Sequence, residues 1–200
     1  FNKDQLVGMK KGYITDWKIS DETFVGVHSD QQWWQHYYSN GVTISGIFDI
    51  EFKLPPVPSG TYEIRLGYTV NPERGVVQAY LNNKPCGIPV DLRMYGTDPN
   101  IGWIEDTEDE EENIANDKAM HNRGYMKGMD CYRQWDSDHT LRANTNNLRR
   151  ILVTQYLDSE ETYKLRFRQV LDDPECYLSF DFIELCPKSV YGSPEGEDIY

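Results

Sequence analysis

Basic side chains are scarce in this chain of 200 residues, in which 20 Lys and Arg stand against 33 Asp and Glu, for a formal net charge of −13. Nucleic acids and anionic lipid surfaces are polyanions that attract basic patches, so we expect neither as a partner. No apolar run approaches the roughly 18 residues that a membrane helix needs, because charged residues interrupt every hydrophobic stretch. We therefore expect no direct membrane insertion of this segment.

Cysteine is also scarce, and its four positions are far apart: Cys86, Cys131, Cys176 and Cys186. The chain has no C-x-x-C pair and no Cys/His spacing of the zinc type, so we expect no structural zinc site. Four cysteines allow three disulfide connectivities, but in a domain of this size they can equally be buried thiols that act as small apolar side chains. Both arrangements stay open.

Motifs of catalysis are absent as well. The sequence contains no G-x-S-x-G, no H-E-x-x-H, no phosphate loop and no dinucleotide fingerprint, and its four histidines show no ligand spacing. A carboxylate pair for glycoside hydrolysis meets in space rather than in sequence, so a hydrolase on a β-sandwich leaves no signature. We expect a domain that is not an enzyme and keep the hydrolase as the weakest alternative.

The strongest pattern present is the alternation of apolar and polar residues with period two, which is typical of half-buried antiparallel strands. It predicts strands at 48–54, 62–70, 151–157, 163–171 and 177–185, and a hairpin over 77–92 with its turn at Asn82-Asn83-Lys84-Pro85. Seven or so strands without a long amphipathic helix predict an all-β antiparallel sandwich, as a single domain over 1–200.

Two regions depart from the strand pattern. Ser29 and Gln32 have capping-box spacing, and Asn40-Gly41 provides a stop, so the sequence predicts a short helix over 30–39. The region 93–150 is far longer than the hairpin loops of about 2–5 residues and predicts a loop-rich insertion between strands. Long loops on a rigid scaffold often carry function.

Within the insertion, residues 105–112 carry seven carboxylates in eight positions. Such a density of like charge is typical of a solvated, mobile segment. A calcium site is the functional alternative, but the run lacks the glycine that an EF-hand loop requires at its sixth position.

The stretch 116–128 that follows mixes amide, cationic, aromatic and glycine residues. Amides and cations hydrogen-bond to sugar hydroxyls or carboxylates, and an aromatic face offers a surface on which a pyranose ring stacks. The candidate ligand-binding residues of the insertion are Trp103, Asn122, Arg123, Tyr125, Lys127 and Trp135. In the structural alternative, the two cations neutralise the acidic run, and the aromatic residues anchor the loop or form a small core of the insertion.

The segments 60–66, 77–92, 163–168 and 177–188 together resemble the galactose-binding-like jelly roll of carbohydrate-binding modules. A strand with an Asp-Tyr-Ile-Glu-Leu-Pro type of motif closes that sandwich, and Phe182 stands here where the family commonly has Tyr. The resemblance implies a structural calcium, the one cofactor we expect, with Asp181 as a metal ligand. The alternative is that Asp181 is an outward-facing acid on a strand whose other face holds Phe180 and Phe182.

Residues 12–18, 116–128 and 187–191 are similar to the C-terminal domain that follows fasciclin repeats in surface lipoproteins of Bacteroidetes. The resemblance implies an exported protein at the cell surface or in the periplasm, tethered as a lipoprotein through a segment outside this chain, which begins at Phe1. A preceding fasciclin-type domain is an expected neighbour, and a polysaccharide or host glycan is the expected ligand.

Two functions follow from these expectations, since a fold alone does not fix function. The favoured one is non-catalytic glycan binding, which predicts a solvent-open cleft with at least one exposed ring. The alternative is a structural or adhesive module that packs on a neighbouring domain or protein partner without binding sugar. It predicts that the aromatic residues of the insertion are buried.

Overall fold

The computed structural model describes residues 14–19, 25–27, 42–128, 132–134, 140–142 and 145–191. The strands in chain order are β1 (Ile14–Ile19), β2 (Val25–Val27), β3 (Val42–Ser45), β4 (Phe48–Lys53), β5 (Gly60–Thr69), β6 (Val76–Leu81), β7 (Lys84–Pro85), β8 (Val90–Asp91), β9 (Tyr125–Lys127), β10 (Tyr132–Gln134), β11 (Thr140–Arg142), β12 (Asn147–Leu157), β13 (Lys164–Gln169) and β14 (Tyr177–Pro187). The helices are α1 (Glu110–Asn122) and α2 (Lys188–Tyr191).

These strands form two antiparallel sheets. The first has the order β1-β4-β13-β6, and both β7 and β8 pair with β6. The second has the order β2-β3-β14-β5-β12-β9, while β10 and β11 form a separate two-stranded ladder. The predicted all-β antiparallel sandwich is thus confirmed. The predicted hairpin turn is present too, since Asn82 and Asn83 adopt positive φ angles of 46° and 64°, as a type I′ turn requires.

The apolar residues of the alternating strands meet between the two sheets. Phe52 of β4 and Phe167 of β13 face Phe180 of β14, with ring centroids 5.9 to 6.0 Å apart among the three. All three rings are buried in one cluster with Ile64 and Leu66 of β5. This cluster is the reason that the period-two pattern predicted these strands correctly.

A bulge in β14 changes the direction of its side chains. The register of β14 against β5 shifts between Phe180 and Phe182. Phe180 lies in the core, whereas Phe182 pairs with Gly67, and its ring covers the position that a Cβ of Gly67 would occupy, 2.5 Å from its nearest atom. The expectation that Phe180 and Phe182 share one face is therefore wrong, because the bulge adds a residue between them.

The acidic run gives rise to α1, which the sequence analysis did not predict. Glu110, Glu111 and Glu112 are exposed, as expected of a solvated segment, but they form the first helical turn. The carboxylate of Asp109 caps this turn by accepting hydrogen bonds from the backbone N–H groups of Glu111 and Glu112, at 3.0 and 3.1 Å. Negative charge at a helix N-terminus is favourable, so the run suits a helix start.

Two other expectations concern the helix predicted over 30–39 and the four cysteines. The helix predicted over 30–39 lies outside the described residues. Cys86, Cys176 and Cys186 are buried thiols, and Cys131 lies outside the described residues. Among the residues described, neither helix is long and apolar enough to cross a bilayer.

Candidate functional site

The insertion attaches to the edge of the second sheet. Its strand β9 pairs with β12, from Tyr125 opposite Arg150 to Lys127 opposite Leu148. The loop 95–104 folds back on itself, because the N–H of Trp103 donates to the carbonyl of Gly96 at 2.8 Å. The insertion thus has its own hydrogen-bonded structure and does not consist of loop alone.

Two of the predicted stacking residues, Trp103 and Tyr125, are buried, with 5% and 8% of their surfaces exposed. The Lys127 ammonium lies 5.4 Å from the Trp103 ring centroid, and the Arg150 guanidinium lies 4.4 Å from that of Tyr125. Burial raises the pKa of the Tyr125 phenol, although the Arg150 cation acts in the opposite direction. Cations of the protein itself contact both rings, and the ligand-binding role of these two residues stays a prediction.

Lys127, predicted to contact ligand, is also buried, with 3% of its surface exposed. Its Nζ lies 2.5 Å from Asp106 Oδ1 and 3.1 Å from Asp117 Oδ1. Asp106 belongs to the acidic run. The contact is therefore the one expected from the structural alternative, in which Lys127 neutralises the acidic run.

Asn122 and Arg123, by contrast, are exposed at the C-terminal end of α1. Arg123 Nη1 donates to the carbonyl of Ala119 at 2.9 Å. The guanidinium also lies against Gly102, where a Cβ would be 2.9 Å from Nη1, and the φ of +78° at Gly102 favours glycine. The direction of the Arg123 side chain is therefore set by both the helix and the loop.

Two apolar side chains of the insertion are exposed as well. Tyr95 and Ile104, at the two ends of the folded loop, are 41% and 49% exposed. The carbonyl of Tyr95 accepts from Asp98 N–H, and the carbonyl of Asp98 accepts from Gly102 N–H, each at 2.8 Å, which ties this loop end to the glycine beside Arg123. We call Tyr95, Ile104, Asn122 and Arg123 the loop–helix surface. The sequence analysis missed Tyr95 and Ile104, and their position inside the insertion was the available signal.

The remaining predicted site residues are Trp135 and Asp181. Trp135 lies outside the described residues, and Asp181 lies within β14 with its side chain outside the description. No group of three or more His, Cys, Asp or Glu side chains suited to a metal ion occurs within the described ranges. The calcium role of Asp181 stays a prediction.

A second group of polar residues lies on the face of the second sheet that points away from the core. Arg65 has no exposed surface and donates from Nε and Nη2 to Glu63 Oε2, at 2.9 and 2.7 Å. Arg65 Nη1 and Arg149 Nη1 both lie near Glu184 Oε2, at 3.3 and 3.4 Å. His121 of α1 approaches Glu63 at 3.1 Å. We call these five residues the outer charge cluster.

The outer charge cluster corrects the prediction that the strand over 62–70 is half-buried. Glu63 and Arg65 occupy its polar positions, yet both are as buried as the apolar residues between them. Burial raises the pKa of the Glu63 carboxyl, but the hydrogen bonds from His121 and Arg65 outweigh it and leave that pKa below its usual value. The alternating pattern of the strand carries no information about α1, whose His121 contacts Glu63 on this face.

Comparisons with known proteins add little to this geometry. No protein-family model and no curated protein matches the chain. Among solved structures, the chain is similar to the xanthan lyase of Paenibacillus, with 11% sequence identity and a TM-score of 0.45. The match covers 87% of this chain but only 12% of the lyase chain.

Proposed function

We propose that this domain binds carbohydrate without catalysing a reaction, and that the loop–helix surface is the binding site. The observation that carries the proposal is the combination of an exposed aromatic ring, an exposed amide and an exposed guanidinium on two elements that Gly102 and Arg123 join. Tyr95 offers a stacking face to a pyranose ring, while Asn122 and Arg123 provide directional hydrogen bonds to hydroxyls or to a sugar carboxylate.

Side-chain placement favours this surface over the buried members of the predicted set. A guanidinium that already donates to the Ala119 carbonyl and packs on Gly102 loses less conformational freedom on binding than a freely rotating one. In this proposal Trp103, Tyr125 and Lys127 are buried residues of the insertion that do not contact the ligand. Asn122 and Arg123 keep the ligand-binding role that the sequence analysis gave them.

A glycan array, followed by calorimetry on any saturable ligand, tests this proposal. We expect Tyr95→Ala and Arg123→Gln each to weaken binding by about tenfold or more, the equivalent of about 1.4 kcal/mol. The matched controls are Tyr156→Ala and Arg168→Gln, which change an exposed tyrosine and an exposed arginine on other strands and should leave the affinity unchanged. Equal effects of the test and control variants would refute the assignment of the site.

The array also tests the calcium that the jelly-roll resemblance implies, when it is run with calcium and again with a chelator. Binding that is lost in chelator and restored by calcium would support a structural ion, and Asp181→Asn should then reproduce the loss. Binding that is indifferent to chelator would remove calcium from the proposal without affecting the loop–helix surface.

A structural or adhesive module is the second candidate, and the burial of Trp103 and Tyr125 favours it. In that case the insertion serves as a folded brace, and the partner is a neighbouring domain such as the fasciclin-type domain of an exported, lipid-tethered surface protein. A folded domain that binds nothing on a broad array would favour this candidate, and a fusion with the neighbouring domain would then be expected to melt at a higher temperature than either part.

A further inference from the structure

The contact between Lys127 and Asp106 joins two distant positions of the insertion inside the protein. Lys127 lies on β9, and Asp106 precedes α1, so the contact spans the helix. The side chains of Lys127 and Asp106 are only 2% and 7% exposed, and Nζ lies 2.5 Å from Oδ1. Nζ therefore lies in direct contact with the Asp106 carboxyl group, in which Cγ is bonded to that oxygen.

A second carboxylate lies beside the same nitrogen. Asp117 Oδ1 is 3.1 Å from Lys127 Nζ, and its side chain is 6% exposed. This distance lies within the range over which a side chain transfers a proton directly. The Trp103 ring, with its centroid 5.4 Å from Nζ, provides an apolar wall. Lys127, Asp106 and Asp117 therefore supply a nucleophile, an electrophile and a proton carrier, in that order, in a site protected from water.

We propose that Lys127 and Asp106 form an intramolecular isopeptide bond, with Asp117 as the catalytic proton carrier. Asp117 carries a proton from the Lys127 ammonium to the Asp106 carboxylate, and the lone pair of the neutral amine attacks Cγ of the resulting carboxylic acid. A bond forms between Nζ and Cγ, and one C–O bond of Asp106 breaks. The departing hydroxyl takes a second proton, which Asp117 transfers from the amine nitrogen, and leaves as water. Asp117 returns to its carboxylate form, and no oxidant, reductant or co-reactant is needed.

Burial favours this reaction over a permanent ion pair. In the unreacted site one ammonium and two carboxylates are removed from water, at a cost in desolvation free energy that their attraction only partly repays. The product keeps one buried charge, the Asp117 carboxylate, to which the amide N–H can donate. The released water leaves to solvent. Hydrolysis of the amide would require a water molecule to return to the buried site.

The cross-link would have a structural consequence for the insertion. It closes the chain from 106 to 127 into a covalent ring that contains α1 and ties the helix to the edge strand β9. Such a ring reduces the conformational freedom of the unfolded chain, as a disulfide does. The insertion, including the loop–helix surface, would be held in place without a cystine.

Mass spectrometry of the purified chain tests the proposal. We expect an intact mass lower than that of the sequence by one water, and a protease digest that contains a branched peptide joining 106 and 127. The Lys164–Glu51 pair is an internal control, because its Nζ and Oε1 lie 2.9 Å apart but the lysine side chain is 45% exposed. Peptides from that pair should stay linear.

Two results would overturn the proposal. One is an intact mass equal to that of the sequence in the folded protein, and the other is a loss of water without the branched peptide. Cross-linking of the Lys164–Glu51 pair to the same extent would overturn the argument from burial. Because these measurements use the unaltered chain, they do not depend on whether any variant folds.

Asp117→Asn separates the catalytic role of Asp117 from the cross-link itself. The amide is close in size to the carboxylate but cannot accept the proton, so we expect the cross-link to form about a hundredfold more slowly or not at all. Circular dichroism would confirm that the variant folds, and Lys127→Met would supply the linear reference. Rapid and complete cross-linking of folded Asp117→Asn would contradict the role assigned to Asp117.

Discussion

At the scale of single residues, Arg65 shows how strongly this protein depends on paired charges. Its guanidinium has no exposed surface, donates twice to Glu63 and lies near Glu184. Arg65→Met should lower the free energy of unfolding by about 3–5 kcal/mol, because it removes the cation that donates two hydrogen bonds to the buried Glu63 carboxylate. Urea denaturation measures this loss.

Arg93→Met provides the matched control for Arg65→Met. Arg93 also pairs with a carboxylate, at 2.7 Å from Asp91, but its side chain is 42% exposed. Exposed ion pairs contribute about 0–1 kcal/mol, so this variant should cost far less. Equal losses in the two variants would mean that burial does not decide the strength of these pairs.

The Glu63 carboxyl gives the outer charge cluster a dependence on pH. Although burial raises its pKa, hydrogen bonds from His121 and Arg65 lower it further, and the net pKa in the folded state lies below the usual value. A depressed pKa means that the folded state favours the ionised form, so this stabilisation is present above about pH 4.3 and is lost as the pH falls through the folded pKa.

Urea denaturation from pH 7 down to pH 3 tests this dependence. We expect the free energy of unfolding to fall below about pH 4.3 in the wild type, and to fall less steeply in Glu63→Gln, which has no proton to gain there. Identical slopes in the two proteins would show that other carboxyls cause the acid sensitivity.

At the scale of elements, α1 is held by its N-cap. Asp109 accepts from two backbone N–H groups that have no partner within the helix. Asp109→Ala should therefore lower the free energy of unfolding by about 1 kcal/mol. Glu108→Ala removes a neighbouring exposed acid and serves as the control in the same urea titrations. A larger loss in Glu108→Ala would contradict the assignment of the cap.

The same helix explains why part of the fold could be predicted from the sequence and part could not. Strands such as β4 and β13 alternate because one face of each meets the core, and this leaves a period of two in the sequence. The buried residues of α1 are Asp117 and Met120, so no apolar stripe with a period of 3.6 marks the helix. The acidic residues of the first turn agree with a helix start, but they are equally typical of a mobile segment.

The candidate site also contains residues whose exposure agrees with the sequence-based prediction and residues whose burial could not be predicted. Asn122 and Arg123 were predicted because their residue types suit sugar hydroxyls, and the structure shows both side chains exposed, while their role in binding stays a prediction. Trp103, Tyr125 and Lys127 have equally suitable chemistry, but their burial depends on how the insertion folds onto β12. Contacts between residues far apart in the chain, such as His121 with Glu63, leave no local pattern.

At the scale of the whole molecule, three phenylalanine rings connect the two sheets. Phe180 of β14 packs against Phe52 of β4 and Phe167 of β13. Because rings from the two sheets pack against one another, neither sheet buries its apolar face alone. The sandwich should therefore unfold as one cooperative unit.

Native-state hydrogen exchange on Phe180→Ala measures this coupling. We expect the variant to lose about 3–5 kcal/mol, and the slowest amides of β13 and β14 to lose the same amount, since both exchange through global unfolding. Tyr156→Ala, at an exposed ring, should change either value by no more than about 0.5 kcal/mol. If the amides of β14 lose protection while those of β13 keep it, the two sheets unfold separately, and the aromatic cluster is not what unites them.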